Sequence, residues 1–389
     1  MNKGLIALAF GGLALGMTEF NMMGLILEIA NDVQISIPEA GNLIAIYALG
    51  VVIGAPTLVV LTANMPPKRV LFYLMLLFSV FTIVFSLSPS PLGLYVSRFI
   101  SGLPHGAFFG VGSVVAAQLA KPGKEAQAIS IMFTGMTIAN LAGIPLGTYL
   151  GQHFSWRLTY ILISGLGLVT AISIYYWLPT IEKPNVNVKK QLNYFSRKEA
   201  WLIIAVIAIG TGGLFSWMSY IAPLVTKVSG VEEKNVPIIM FLVGSGMFIG
   251  NLIGGKLADT VIPTKAAMYS FLAMTICLLV NYFVSGVTWA AYPMAFITGA
   301  VAFSIGASLQ MMLINSAEGA ETIAASAGQG AFNIGNSLGA YFGAIPIGLG
   351  FAYNTPTLVG AVLAFSGSLL ALLYLLKYRI RQVKKNAAA

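Results

Sequence analysis

The chain has 389 residues, of which 58% are hydrophobic and only 8% charged, with a formal net charge of +9 and a mean hydropathy of +0.86. That leaves too little polar surface for a soluble globule of this length, and the chain reads as an integral membrane protein. The positive charge is spread over alternate loops rather than gathered into a basic domain, which sets aside nucleic acid as a partner.

Apolar runs of about 20 residues or more can cross a hydrocarbon core about 30 Å thick as helices at roughly 1.5 Å per residue. A barrel would instead show short alternating segments. Twelve helical spans are expected in chain order: Leu5 to Ile29, Glu39 to Ala63, Val70 to Leu87, Leu92 to Leu119, Ala126 to Gly151, Trp156 to Leu178, Trp201 to Val225, Val236 to Ala258, Thr264 to Val284, Trp289 to Ile314, Ile323 to Gly348, and Pro356 to Leu376. The first run is too long for a typical signal peptide and has no obvious small-residue cleavage site, so it counts as a span.

With the N-terminus inside, 17 of the 21 Lys and Arg residues fall on the cytoplasmic side. The bias of basic residues towards the cytoplasm then places both termini there. Trp156, Trp177, Trp201 and Trp289 fall at span ends, where indole rings anchor at the headgroups. Cys277 is the single cysteine and lies in a span as a packing residue, so a disulfide framework or cysteine-rich metal site is excluded.

The longest polar stretch divides the spans six and six. The expected organisation is an N-terminal six-helix bundle over 1–178, a cytoplasmic linker over 179–200, a C-terminal six-helix bundle over 201–378 and a cytoplasmic tail over 379–389. A shift of 196 places Gly50, Gly54 and Pro67 on Gly246, Gly250 and Pro263, and places Ile138, Asn140, Gly143 and Gly147 on Ile334, Asn336, Gly339 and Gly343. The shared I-x-N-x-x-G-x-x-x-G pattern makes the halves a repeat. Two similarly oriented six-span halves are the layout of a transporter whose substrate site lies near the midplane between them.

Glu19, Arg98 and His105 fall inside spans, away from their ends. Glu19, in "GMTEFNMMG", lies about fourteen residues or roughly 21 Å from the cytoplasmic start of the first span. An uncompensated acid at that depth costs about 2.5 to 3.5 kcal/mol on insertion scales, so it should face the protein interior. Arg98 lies about six residues below the outer end of the fourth span, with His105 seven residues deeper, so Arg98, Gly102, His105 and Phe109 share one face. Pro104 removes one helical hydrogen bond beside them. A converging acid, base and imidazole suit proton coupling, because changes in water access or in the Arg98 distance move a proton on or off the acid. A static Glu19–Arg98 ion pair, and a structural hydrogen-bonding His105, stand as the plainer alternatives.

Candidate substrate contacts are Asn21, Asn140, Gln310, Gln329, Asn333 and Asn336, with Phe108, Phe109, Phe215, Trp217 and Tyr220; interhelical hydrogen bonding or packing is the alternative for each. The shift puts Phe215 opposite Glu19 and Met294 opposite Arg98, so the charges belong to the first half alone.

The stretch "RFISGLPHGAFFG", with "TEF" at 18–20, "YALGVVIGAP" at 47–56 and "ANLAGIPLGTYLG" followed by "WR" at 156–157, resembles the major facilitator superfamily. The likeness is to its drug:proton antiporter branch and to the arabinose-efflux-permease and sugar-efflux group in particular. The resemblance implies an all-α fold of twelve spans, a proton-coupling role for Arg98, and a helix containing Gly143, Pro145 and Gly147 that closes one side of a cavity. It also implies a bacterial inner-membrane location and a monomer. The antiporter pattern has Gly directly before Pro, whereas Ile144 intervenes here. The loop motif G-x-L-A-D is intact only in the second half, as "GKLAD" ending in Asp259. The first half ends "LTANMPPKR", so gating there falls to Lys68, Arg69 or Asn64.

The leading expectation is a proton-driven exporter of a small organic solute such as a drug or sugar, with protons, solute and lipid as partners and no cofactor or metal. A passive facilitator or proton symporter of a sugar or nucleoside is the alternative. A membrane-embedded enzyme is remote, since neither a nucleophile beside His105 nor metal-ligand spacing is present.

Overall fold

The computed structural model describes residues 2–62, 65–121, 125–180, 193–317 and 321–386, and no strand occurs among them. Its helices in the first half are α1 (Lys3–Gly24), α2 (Ile26–Val33), α3 (Ile37–Thr62), α4 (Pro67–Leu87), α5 (Pro91–Gln118), α6 (Glu125–Ile138), α7 (Ile144–Leu150) and α8 (Trp156–Trp177). The second half has α9 (Lys198–Met218), the short α10 (Ile221–Pro223), α11 (Val236–Thr260), α12 (Pro263–Val284), α13 (Thr288–Phe303), α14 (Gly306–Ser316), α15 (Glu321–Gly348) and α16 (Thr355–Asn386). Positions 181–192 of the expected linker, and Asn64, lie outside the described residues. The α16 helix continues past the last expected span to Asn386.

Ten described helical stretches are long and apolar enough to cross a membrane. One of them, Ala128–Trp177, is 50 residues long, about 75 Å if straight, and contains two expected spans. It is interrupted at Ser155, whose extended backbone and side-chain hydroxyl cap α8 by accepting from the Arg157 N–H. The expected span from Ile323 to Gly348 falls on α15, which has 28 residues.

Local irregularities follow from proline chemistry in part. Pro145 cannot donate to the carbonyl four residues back, and the chain widens into a π-turn over Ala139–Gly143 just before it. Pro104, by contrast, leaves α5 unbroken. The first span of each half is cut near its far end: Leu25 (φ −113°, ψ 12°) separates α1 from α2, and Tyr220 (φ −116°, ψ 20°) separates α9 from α10. The two cuts have nearly the same backbone conformation and stand 195 residues apart.

Packing repeats between the halves as well. In the first, α1 packs on α6 and α8, α3 on α5, and α4 on α5 and α8; in the second, α9 packs on α15 and α16, α11 on α13, and α12 on α13 and α16. Lipid supplies no hydrophobic drive between helices, so close backbone approach must do the work. A Cβ on Gly50 or Gly54 would strike the carbonyls of Phe99 or Leu103, and one on Gly246 or Gly250 would strike those of Phe296 or Ala300. The reciprocal positions Gly102 and Gly299 meet the carbonyls of Tyr47 and Val243. The internal repeat is therefore a repeat of helix crossings.

Between the halves, α3 lies along α15, and α11 lies along α7 and the π-turn before it. On the face opposite the N-terminus, Asp32 Oδ2 accepts from Arg157 Nη2 at 2.8 Å and from Trp156 Nε1 at 3.0 Å, while Arg157 Nη1 donates to the carbonyls of Ser86 and Ser88. Trp156 is thus buried in a polar latch tying α2, α4 and α8 together, and is not the headgroup anchor its position suggested. Trp177, Trp201 and Trp289 are exposed at helix ends as expected.

Replacing Gly54 with Val should lower stability by about 1 to 3 kcal/mol, because the added atoms must displace Leu103 backbone rather than a yielding side chain. Thermal melting in detergent, compared with Gly255→Val where a Cβ meets no neighbour within 4 Å, measures it.

Candidate functional site

Glu19 is 2% exposed and sits on α1 where the halves meet. Its Oε1 accepts from Asn336 Nδ2 of α15 at 3.0 Å, and its Oε2 lies 3.9 Å from His105 Nε2 of α5. The second distance is too long for a hydrogen bond. On the other side of the imidazole, Nδ1 is 2.8 Å from the hydroxyl of Tyr47 on α3. A Tyr47 hydroxyl donating to Nδ1 leaves the proton of neutral His105 on Nε2, facing the acid. Four helices from both halves meet around one carboxyl.

Arg98 is nearby but differently held. It makes no ion pair with Glu19; Nη1 donates to Thr18 Oγ1 at 3.1 Å and Nη2 to the Thr18 carbonyl at 3.0 Å. Its guanidinium lies 4.3 Å from the Tyr47 ring centre, 5.3 Å from Phe85 and 5.6 Å from Tyr160, a cage in which cation–π attraction replaces hydration. The ion-pair alternative is therefore not what the structure contains. Sequence reasoning missed Thr18, Tyr47 and Tyr160 as partners, although "TEF" held Thr18 beside the acid and "YALGVVIGAP" opens on Tyr47.

A cavity of about 240 Å³ opens between the halves. Its walls include Phe20, Phe133 and Asn140 from the first half and Gln310, Gln329 and Phe332 from the second, and no ionisable side chain is among its described lining residues. The lining runs from the middle of the spans, at Asn140, Thr211 and Gly244, towards their ends on the N-terminal face, as at Leu313 of α14. At the deep end of the cavity a Cβ on Gly244 of α11 would strike the Asn140 carbonyl, and nearer the far face one on Gly41 of α3 would strike the Tyr220 hydroxyl.

Of the expected substrate contacts, Asn140, Gln310 and Gln329 line the cavity. Phe109 and Phe215 stand one layer behind, Phe109 stacked 5.0 Å from Phe133, and Phe215 5.0 Å from Phe332 and 6.3 Å from Phe20. Phe108 packs against Gly11. Trp217 lines a void of about 10 Å³ inside the second half, and Tyr220 donates to the Ala340 carbonyl at 2.7 Å. Asn21 and Asn333 turn their amide nitrogens to the carbonyls of Met17 and Gln329 on their own helices. The Oδ1 atoms of Asn21, Asn140, Asn333 and Asn336 have no hydrogen-bond partner.

Among the expected gating residues, Gly143 and Gly147 press α7 and its π-turn onto Met17 and Asn21 of α1, with Pro145 between them. Lys68 Nζ lies 5.7 Å from the Tyr175 ring centre, and Arg69 is exposed. The Asp259 side chain lies outside the described residues.

Thr18→Val should cost about 1 to 2 kcal/mol, above the roughly 0.6 typical of interhelical hydrogen bonds in membranes, because the donor it abandons is a buried cation. Denaturation against Thr57→Val, a threonine bonded to its own helix backbone, isolates that difference.

The model of the Major Facilitator Superfamily matches residues 8–344. AraJ of Escherichia coli (strain K12) is 41% identical over 375 residues, 96% of this chain and 95% of that protein. The inner membrane transport protein YdhP of the same strain is 36% identical over 94% of each. The crystal structure of a D-xylose-proton symporter superposes with a TM-score of 0.74 at 15% identity, over 95% of this chain and 96% of that one, a likeness of fold. The chain belongs to the major facilitator superfamily and is a multi-pass membrane transporter.

Proposed function

We propose that the chain is a proton-coupled antiporter that exports an uncharged small organic solute by alternating access between two six-helix halves, as a monomer in a bacterial inner membrane with both termini cytoplasmic. The carrying observation is the division of labour between Glu19 and the cavity. A carboxyl is buried at the junction of the halves, bonded to Asn336 of the opposite half, while the described lining of the adjoining cavity is uncharged, with amides and threonine hydroxyls as its polar side chains among aromatic and aliphatic ones. An ionic solute would have no counter-charge on such walls, and burying its charge unpaired would be costly. A neutral solute can bind through the amides and stack on Phe20 or Phe332.

The conformation has its cavity towards the N-terminal face, which the charge bias makes cytoplasmic. There, release of the Glu19 proton precedes or accompanies solute loading. If the solute prefers the ionised state, linkage requires that solute binding promote proton release, and that a proton promote solute release on the far side. The export direction follows the efflux-permease likeness of "RFISGLPHGAFFG". Glu19 lies outside the cavity lining, so solute and proton communicate through helix position rather than by contact.

In inside-out vesicles with an acidified lumen, a panel of neutral sugars, nucleosides and amphipathic drugs should yield at least one compound that triggers lumenal alkalinisation, and Glu19→Gln should abolish it while expression and melting are kept. Solute flux that persists in Glu19→Gln and ignores the pH gradient would make the chain a facilitator. Gln310→Leu should raise KM for the active compound up to about tenfold, the worth of one hydrogen bond of about 0.5 to 1.5 kcal/mol.

A further inference from the structure

Asn336 carried the expectation of a substrate contact, yet it is fully buried, lies outside the cavity lining, and spends its amide nitrogen on Glu19 across 317 positions of sequence. Its Oδ1 is buried without a partner. An unmatched amide oxygen in a dry interior is costly, and the donor that would satisfy it is within reach: the hydroxyl of a protonated Glu19.

An ionised carboxylate only accepts, so it matches Nδ2 and forms a charge-assisted bond, roughly twice as strong as a neutral one. A proton on Oε2 strips that bond of its charge assistance, and a proton on Oε1 presents an O–H to the two hydrogens of Nδ2, a donor-to-donor contact that must part unless the amide turns so that Oδ1 accepts. The other titratable or charged groups around Glu19 do not impose this choice. His105 stands 3.9 Å away on α5, Arg98 on α5 is committed to Thr18, Tyr47 on α3 faces His105, and the Tyr160 hydroxyl on α8 points to Met22 Sδ at 3.7 Å. Of these partners, Asn336 alone belongs to the second half.

We propose that Asn336 is the positioning residue through which the second half senses the protonation of Glu19: its amide clamps the halves in the conformation seen here while the acid is ionised, and the clamp releases when the acid takes up a proton. The inference rests on the proton-coupling reading of Glu19. It adds no chemistry beyond one proton moving from water to a carboxylate oxygen, and it requires no contact between solute and Glu19.

Spin labels at Leu61→Cys on α3 and Thr260→Cys on α11, both exposed near the N-terminal face, in a Cys277→Ser background, report the opening between the halves by pulsed dipolar spectroscopy. In the otherwise unaltered protein the open population should fall on acidification. Asn336→Leu, which can make no bond to Glu19, should flatten that response at least fivefold. Asn336→Asp keeps the shape but sets two carboxylates face to face at alkaline pH, so its open population should instead fall as pH rises. If the Leu and Asp variants both keep the parent response, Asn336 is a packing residue and the inference fails, while loss of the response in Glu19→Gln would still uphold Glu19 as the proton site. A parent population indifferent to pH, alongside unchanged proton flux in Glu19→Gln, would overturn the underlying reading as well.

Discussion

The structure depends on one constraint: in lipid, apolar surface gives helices no reason to leave the bilayer for one another, so association must come from contact close enough for backbone to touch backbone. Glycines at 50, 54 and 102 provide that contact between α3 and α5, and glycines at 246, 250 and 299 provide it between α11 and α13. Such crossings tolerate little sliding, because the opposing atoms are carbonyls and not side chains that can rotate away. Each half is thereby a stiff body, and motion is left to the seam between them. The seam is sealed near the far face by Tyr220 against Gly41, closes at the deep end of the cavity where Asn140 meets Gly244, and opens towards the other face as the cavity.

The two ionisable groups beside that seam meet the cost of burial in opposite ways. Arg98 is held by neutral partners within its own half: it donates two bonds to Thr18 and lies against three aromatic faces, with Nε left unpartnered. Nothing in this cage needs to change during a cycle, and the guanidinium stays charged at any accessible pH. Glu19 has an amide and an imidazole as neighbours, and each of these can donate from one atom and accept at another. A carboxyl in that company can gain or lose a proton and still find a partner by reorientation. Arg98 supplies a fixed positive field near a group whose charge is free to vary.

Much of the fold was legible in the sequence because it is written in run lengths. Expected spans and observed helices agree within a few residues at Ile37–Thr62, Pro67–Leu87, Pro91–Gln118 and Trp156–Trp177. The 196-residue shift identified the glycines whose crossings repeat. Position along the helix was legible too, since the run lengths put Glu19 deep in the first span and His105 deep in the fourth, and the two side chains come within 3.9 Å. Rotation about the helix axis was not. It decides that Arg98 finds Thr18 and not Glu19, that Trp156 turns inward to Asp32, and that His105 meets Tyr47, 58 positions earlier. These pairings depend on how whole helices seat against each other. The cuts at Leu25 and Tyr220 were hidden for a related reason: in the first half no proline or glycine stands at the cut residue to announce it.

The repeat explains why an amide and an acid should meet at the seam at all. Asn140 and Asn336 occupy the same place in the I-x-N-x-x-G-x-x-x-G pattern, each on the fifth span of its half, and each turns towards the junction. What differs is the residue on the first span of the opposite half. Asn336 meets Glu19, whereas the repeat mate of Glu19 is Phe215, which stands behind the cavity wall, stacked on Phe20 and edge-on to Phe332. Asn140 is consequently left lining the cavity, with its oxygen unpartnered. A single difference between repeat mates, acid in one half and phenyl in the other, thus gives two equivalent amides different company, a carboxyl for one and the cavity for the other; in the proposed function these are the proton and the solute. The same helix movement that shifts one amide relative to Glu19 shifts the other relative to the cavity, which is the mechanical requirement for coupling two ligands that never touch.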